Sequence, residues 1–327
     1  MLQRLSLRDF RNFERLDVEL PSAGMVIIGE NGHGKTNLLE AVSYLGLLRS
    51  VRGSRDADVV RFGAAAFHVR AHLSAPAAYS NVTVAYERST KKKKATVDGV
   101  EHAKLSEALG VVPSVCFSPV DVALVAGGPA ERRRFLDVTL ALTDPRYLQA
   151  LQQYRAALRQ RNAALRVAQR QSGKRAGGTS NSTTEHAEVS VWEPSLAQHG
   201  ATLAALRHAW CIRHAEQFQR LCERIGERAP VSMQYTSATR DALKNVSPES
   251  SADDVTHESH ERTTAHAHQR MFRNVYAAAF EQQRANELRR GVTLVGPHRD
   301  ELQLMLGDRD LRTFGSNGQQ RTAAIAL

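Results

Sequence analysis

At 327 residues the chain is long enough for two domains, each with a sizeable core, and it carries 44 Lys and Arg against 34 Asp and Glu, a formal net charge of +10. It has no run of eighteen or more apolar residues and no signal-peptide pattern, so a membrane span and export are excluded and a soluble, cytoplasmic protein is expected. Cys116, Cys211 and Cys222 form no C-x-x-C pair and are expected to be reduced thiols, while the basic balance suits a polyanionic partner or simply solubility.

In chain order, residues 2–13 alternate through Leu5, Leu7 and Phe10, and residues 16–20 alternate strictly before Pro21, so two strands are predicted. Met25-Val26-Ile27-Ile28 reads as a third strand, and Asn37-Leu38-Leu39-Glu40-Ala41-Val42 as the opening of a helix. Between them lies Gly29-Glu30-Asn31-Gly32-His33-Gly34-Lys35-Thr36, which fits G-x-x-x-x-G-K-[ST]. In that arrangement the loop amides and the helix N-terminus close around phosphate oxygens, Lys35 reaches the β- and γ-phosphates, and the Thr36 hydroxyl is placed for Mg²⁺. The chain is therefore expected to bind a nucleoside triphosphate. A mixed sheet is implied. Residues 48–63 are rich in Arg and Asp, and strands follow at 67–73 and 82–97. Lys91-Lys92-Lys93-Lys94 falls at the expected hairpin tip ahead of the Asp98-Gly99 turn, where it is either a solvated loop or a nucleic-acid contact through Lys91 and Lys92.

From Asp144 the apolar period changes from two to about three and a half. Asp144 and Pro145 open a helix whose seam runs Tyr147, Leu151, Tyr154, Leu158 and Leu165, skipping Arg161. A second seam runs Trp192, Leu196, His199, Leu203, Leu206, Trp210, Phe218, Leu221 and Ile225, and the two helices are expected to pack as an antiparallel arm. Residues 131–175 hold eleven Lys and Arg against three acids, a net +8. Polar inserts near 172–190 and 245–268 are predicted as mobile loops, the second with His257, His260, His266 and His268 as solvated side chains rather than metal ligands. A last arm helix is expected over 268–288. Residues 292–295 read as a strand ahead of Gly296-Pro297-His298-Arg299-Asp300, and Leu302, Leu304 and Leu306 as another. The chain closes with Ser316-Asn317-Gly318-Gln319-Gln320-Arg321 opening a helix, a second anion-binding element.

These residues resemble a known group. Ser316, Gly318 and Gln319 match the ABC signature, and a P-loop, a central helical arm and a late signature loop form the SMC-like layout. Within it the chain is similar to the RecF family. The similarity rests on Phe10-Arg11-Asn12-Phe13, the P-loop through Ala41, Ser50-Val51-Arg52, Arg61-Phe62-Gly63, Gly127-Gly128-Pro129, Arg132-Arg133-Arg134-Phe135-Leu136-Asp137, Arg161-Asn162 and Gly296-Pro297-His298-Arg299-Asp300. The resemblance implies an α/β fold: an ABC-type P-loop ATPase head in two parts, 1–140 and 291–327, with a helical arm domain inserted over 141–290. It implies a weak, DNA-dependent ATPase that dimerises on ATP, recognises single-stranded or gapped DNA, and works with RecO and RecR to load RecA. By the same resemblance Arg11 and Asn12 line the nucleotide edge, Asn31 faces the γ-phosphate or attacking water, and Ser316, Gly318 and Gln319 complete a partner's pocket. Arg132 and Arg133 are candidate DNA contacts, the alternative being an exposed basic helix end.

ABC heads also use a strand after the signature helix that ends in Asp and a second carboxylate. The sequence reaches Leu327 before any such strand, so the chain as it stands is expected to lack turnover. Two rival classes are an ATP-gated nuclease, which needs a carboxylate cluster, and a transporter ATPase subunit, which the basic arm disfavours.

Overall fold

A computed structural model describes residues 1–74, 77–174, 187–237 and 257–327. The chain divides into two compact units, Met1–Ser118 and Pro119–Leu327. Segments 119–140 and 291–327, which the sequence groups with the head, fall in the second unit together with the long helices.

The first unit is built on a six-stranded sheet. Its strands are β1 (Leu2–Phe10), β2 (Phe13–Glu19), β3 (Ala66–Leu73), β4 (Asn81–Glu87), β5 (Lys92–Val97) and β6 (Val100–Glu101), in the order β2-β1-β3-β4-β5-β6. Leu5, Leu7, Val69, Ala71, Val82, Val84, Ala95 and Val97 alternate onto one buried face, as period-two patterning requires. Helix α1 (Lys35–Leu47) belongs to the same core through Leu38, Ala41, Tyr44 and Leu45, and the rings of Phe10, Tyr44 and Phe67 meet edge to face. A one-turn helix α2 (Asp56–Val59) lies between α1 and β3. Asp98 and Gly99, both at positive φ, make the tight turn between β5 and β6.

Three expectations fail here. Every strand pairing among the described residues is antiparallel, where a mixed sheet was implied. Residues 25–28 join no ladder: Val26 is 84% and Ile28 90% exposed. In the order β2-β1-β3-β4-β5-β6 the central strands β1 and β3 are filled on both sides, and residues 25–28 do not take up the outer edge of β2 or β6. The lysine run also differs from a hairpin tip, since Lys92, Lys93 and Lys94 belong to β5 and only Lys91, at φ 54°, lies in the turn.

The second unit contains α3 (Ala123–Ala126), α4 (Pro129–Thr143), α5 (Pro145–Lys174), α6 (Glu193–Ile225) and α7 (His257–Arg290). It also holds a sheet of β7 (Val231–Thr236), β8 (Glu301–Leu306) and β9 (Arg309–Asp310), and then α8 (Leu311–Phe314) and α9 (Asn317–Ala326). Asp144 starts α5, its carboxylate accepting the Arg146 N–H at 2.8 Å. Helices α5 and α6 run antiparallel in heptad register: Tyr147 meets Arg207, Tyr154 meets Gly200, and Arg161 meets Glu193. The seam therefore includes Arg161, which the sequence reading skipped. Helix α7 begins at His257, eleven residues before the expected start and inside the predicted polar insert. Of the expected loops near 172–190 and 245–268, residues 175–186 and 245–256 lie outside the described residues, while 172–174 and 187–190 are helical.

Residues 292–295 form a buried loop rather than a strand, with Thr293 and Val295 inaccessible or nearly so. Side chains replace the ladder: Asn162 Oδ1 accepts the Thr293 N–H at 2.8 Å and Glu287 Oε1 the Leu294 N–H at 2.6 Å.

Candidate functional site

The P-loop is shaped by its glycines. Gly32 and Gly34 sit at φ 86° and 96°, and a Cβ on Gly34 would come within 2.7 Å of the Asn12 amide and 2.8 Å of the Phe13 ring. Gly34 is the residue preceding α1, and that helix has no side-chain cap and no acid in its first turn. Its unmatched N–H groups and positive dipole end are thus left for an outside anion. The Lys35 ammonium donates to the Gly29 carbonyl at 2.6 Å and the Glu30 carbonyl at 2.7 Å, folded across the loop it belongs to. Thr36 is exposed, as are Asn31 and Gly32, and His33 and Glu30 stand 3.7 Å apart at the surface.

Arg11 and Asn12 flank this loop with different roles. Asn12 Oδ1 accepts from Asn37 Nδ2 at 2.9 Å, tying β1–β2 to the first turn of α1. Arg11 points its guanidinium at Glu40, donating from Nε at 3.0 Å and from Nη2 at 2.7 Å, and at Ser54 Oγ at 2.7 Å. Glu40 is the acid that sequence reasoning missed. It is the sole carboxylate of α1, fully buried, and also accepts from Ser50 Oγ at 2.5 Å. Its signal was available: one acid on a helix otherwise apolar on that side needs a cation, and Arg11 and the Ser50-Val51-Arg52 segment supply the partners. Nearby, Lys93 pairs with Asp56 at 2.7 Å and Tyr44 donates to the same carboxylate, while burial drives the Tyr44 phenol well above its ordinary pKa. Lys94 pairs with Glu101 at 3.0 Å. Lys91 and Lys92 remain exposed.

Arg132, expected at a DNA interface, is buried in the second unit. Its side chain is 6% exposed, pairs with Glu301 at 2.8 Å and donates to the carbonyls of Leu124, Val125 and Gly127. A guanidinium with all three nitrogens engaged inside the protein is not free to meet a phosphate, so Arg132 is neither a DNA contact nor an exposed helix end. Arg133 donates to the Asp300 carbonyl at 2.9 Å, and burial lowers its pKa. The other specific motifs converge on the same interior. Asp137 accepts from Tyr147 at 2.6 Å, Arg207 at 2.7 Å and Arg155 at 2.8 Å, and Arg207 reaches the Pro297 carbonyl at 2.7 Å. Asp300 accepts from Tyr235 at 2.5 Å, Tyr276 at 2.8 Å and Ser237 at 3.0 Å. His298 meets Tyr154 Oη at 2.6 Å, and burial pushes the imidazole down to about 4. Arg132 to Asp137, Arg161-Asn162 and Gly296 to Asp300 are thus one polar frame joining α4, α5 and α6 to the loop before β8.

Ser316 is the N-cap of α9. Its hydroxyl accepts the Gln319 N–H at 3.3 Å while Gln319 Oε1 accepts the Ser316 N–H at 2.9 Å, a reciprocal capping box. Ser316 and Gly318 are exposed, and a side chain at Gly318 would meet only open space beyond the Ser316 hydroxyl. Among the described residues no group of three or more His, Cys, Asp or Glu could hold a metal ion, and no helix is long and apolar enough to cross a membrane.

Residues 4–110 match the AAA domain family. The DNA replication and repair protein RecF of Latilactobacillus sakei is 32% identical over 327 residues, covering 100% of this chain and 78% of that protein. RecF of Nostoc punctiforme is 35% identical, covering 100% and 79%, and RecF of Rhodococcus erythropolis is 35% identical, covering 100% and 77%. A solved structure of the recombination mediator protein RecF-ATPrS in the RecFOR pathway superposes with a TM-score of 0.81 at 24% identity, over 100% of this chain and 79% of that one. The likeness shows the fold, that of a P-loop ATPase head with an inserted helical arm. With a third of its residues shared over its whole length with proteins of that name, the chain belongs to the RecF family of DNA replication and repair proteins.

Proposed function

We propose that this chain binds ATP at residues 29–36 and acts as an ATP-dependent, DNA-binding recombination mediator. The observation that carries the reading is the uncapped N-terminus of α1 behind a glycine loop, with Lys35 and Thr36 at its mouth. It fits a triphosphate: the amides and the dipole suit phosphate oxygens, and Lys35 can leave the loop carbonyls for the β- and γ-phosphates. Thr36 would hold Mg²⁺, which neutralises phosphate charge when bound. Arg11, through Glu40, holds the P-loop helix against residues 50–54, and Asn12 positions its first turn.

By family resemblance the protein acts in the cytoplasm at single-strand gaps, in repair, replication restart and the SOS response. It dimerises on ATP, with Ser316, Gly318 and Gln319 capping the partner's γ-phosphate, and works with RecO and RecR to load RecA. The test is equilibrium binding of a fluorescent ATP analogue with and without Mg²⁺. Lys35→Ala is expected to weaken binding by at least about tenfold, the value of one charge-assisted hydrogen bond. Binding that is unchanged in Lys35→Ala refutes the nucleotide site. A protein that binds the analogue but neither dimerises nor binds a gapped duplex refutes the mediator reading alone.

A further inference from the structure

Helix α5 carries Arg146, Arg155, Arg159, Arg161, Arg166, Arg170 and Lys174 and has no acidic residue in thirty positions. The ion pairs divide these cations sharply. Arg146 pairs with Asp144, Arg155 with Asp137, and the buried Arg161 with Glu193 and Glu287. Arg159, Arg166 and Arg170 are exposed and make no ion pair with any described residue; Arg166 donates only to the Asn162 carbonyl, at 2.9 Å.

Spacing puts the exposed arginines in line. At 3.6 residues per turn, positions 155, 159, 166 and 170 fall within an arc of about 60° and extend along about 22 Å of helix. Arg155, although paired, is still 56% exposed at the end of that line. Like charges at i and i+4, here 155/159 and 166/170, destabilise a helix, and no acid on α5 relieves them. Such a row calls for an external polyanion. A DNA strand presents a phosphate about every 3.4 Å, so the row faces about six of them. The apolar side of α5 is already buried against α6 through Tyr147, Tyr154 and Ala157, leaving no apolar face to enter a lipid interface.

We propose that the exposed face of α5, through Arg159, Arg166 and Arg170 with Arg155 at its end, is a binding surface for the phosphate backbone of DNA. The inference rests on the reading that the chain binds DNA, and adds where. Contact is to phosphates and carries no base sequence.

The experiment measures anisotropy of a labelled 30-base-pair duplex and a labelled 30-nucleotide single strand across a salt series, for the unmutated chain and for Arg159→Gln/Arg166→Gln/Arg170→Gln. Glutamine keeps helix propensity, and circular dichroism with ATP-analogue binding verifies the fold. The slope of log affinity against log salt is expected to shrink by about 2.7 on duplex and about 2.1 on single strand, which is up to about 500-fold weaker duplex binding at 0.1 M salt. The triple Arg→Lys variant is expected to keep the slope. Should the triple Gln variant misfold, Arg166→Gln/Arg170→Gln alone is expected to lower the duplex slope by about 1.8. An unchanged slope in a folded Gln variant overturns the surface while leaving DNA binding standing. Failure of the unmutated chain to bind either oligonucleotide refutes the DNA reading itself and this surface with it, as does binding to phosphatidylserine vesicles in place of DNA.

Discussion

Arg161→Met tests whether the polar frame of the second unit is an obligate ion network. Arg161 is fully buried, lies over the Phe280 ring at 5.0 Å, and reaches Glu287 at 2.6 Å, Glu193 at 2.8 Å and Thr293 Oγ1 at 3.0 Å. Methionine keeps most of the volume and the ring contact but removes the cation. Glu193 retains Arg284 at 2.6 Å, whereas Glu287, also fully buried, keeps only the Leu294 N–H as a hydrogen-bond donor. Removing one partner of a buried pair costs about 3–5 kcal/mol, because the remaining charge is stranded. At about 2–4 °C per kcal/mol for a unit of this size, Tm should fall by about 6–20 °C in a thermal scan. Adding Glu287→Gln, which removes the stranded charge and keeps an acceptor for Leu294, should restore most of that loss. A single variant within about 1 kcal/mol of the unmutated chain, or a double variant no better than the single, refutes the reasoning.

Gly34→Ala should lose ATP-analogue binding and some stability, since a left-handed φ costs about 1–2 kcal/mol and the methyl meets the Asn12 amide; normal binding would contradict the loop geometry. Ser316→Asp keeps an equally good N-cap for α9, so stability should hold within about 0.5 kcal/mol, while the added carboxylate repels a γ-phosphate. Light scattering with a non-hydrolysable analogue should then show monomers, and dimers as abundant as in the unmutated chain would end the trans-capping role. His298 titrates at about 4 in the native state against 6.5 for the free side chain, so the unfolded chain binds the extra proton between those values. Stability from the neutral imidazole is complete above pH 6.5 and lost as pH falls towards 4, by about 3 kcal/mol. Tm measured across that window should fall less steeply in His298→Asn, and an identical profile would refute the assignment.

The glycine loop at 29–36 was legible because its requirements are local: positive φ at fixed positions and one lysine at the helix start. Glycine and lysine identities report those directly. Strands β1, β3, β4 and β8 were legible for the same reason, each having one buried face and a clear alternation. Residues 25–28 and 292–295 have strand propensity and are not strands, because a strand also needs a neighbour to pair with, and propensity does not report one. Around 292–295 the neighbour is replaced by Asn162 and Glu287, residues 131 and 7 positions away, and no local pattern announces that. Glu40 was given no role for a like reason, its partners Arg11 and Ser50 being brought to it by the fold.

The arginines show what phase could have decided. Net charge over 131–175 treats them alike, yet their fates are opposite, and the seam settles which is which. Tyr147 and Tyr154 mark the buried line of α5, and the next position seven residues on is Arg161; a residue in that register is inside whatever its charge, and must find acids there, as it does in Glu193 and Glu287. Arg159, Arg166 and Arg170 fall outside the register and remain in solvent. For Arg132 the same logic applies to α4, where Leu136 and Leu140 at i+4 and i+8 are buried and carry the side of the helix on which Arg132 lies. The family motif that looks most like a DNA contact thus holds a frame residue by phase, and the exposed row of cations lies on the helix that follows it.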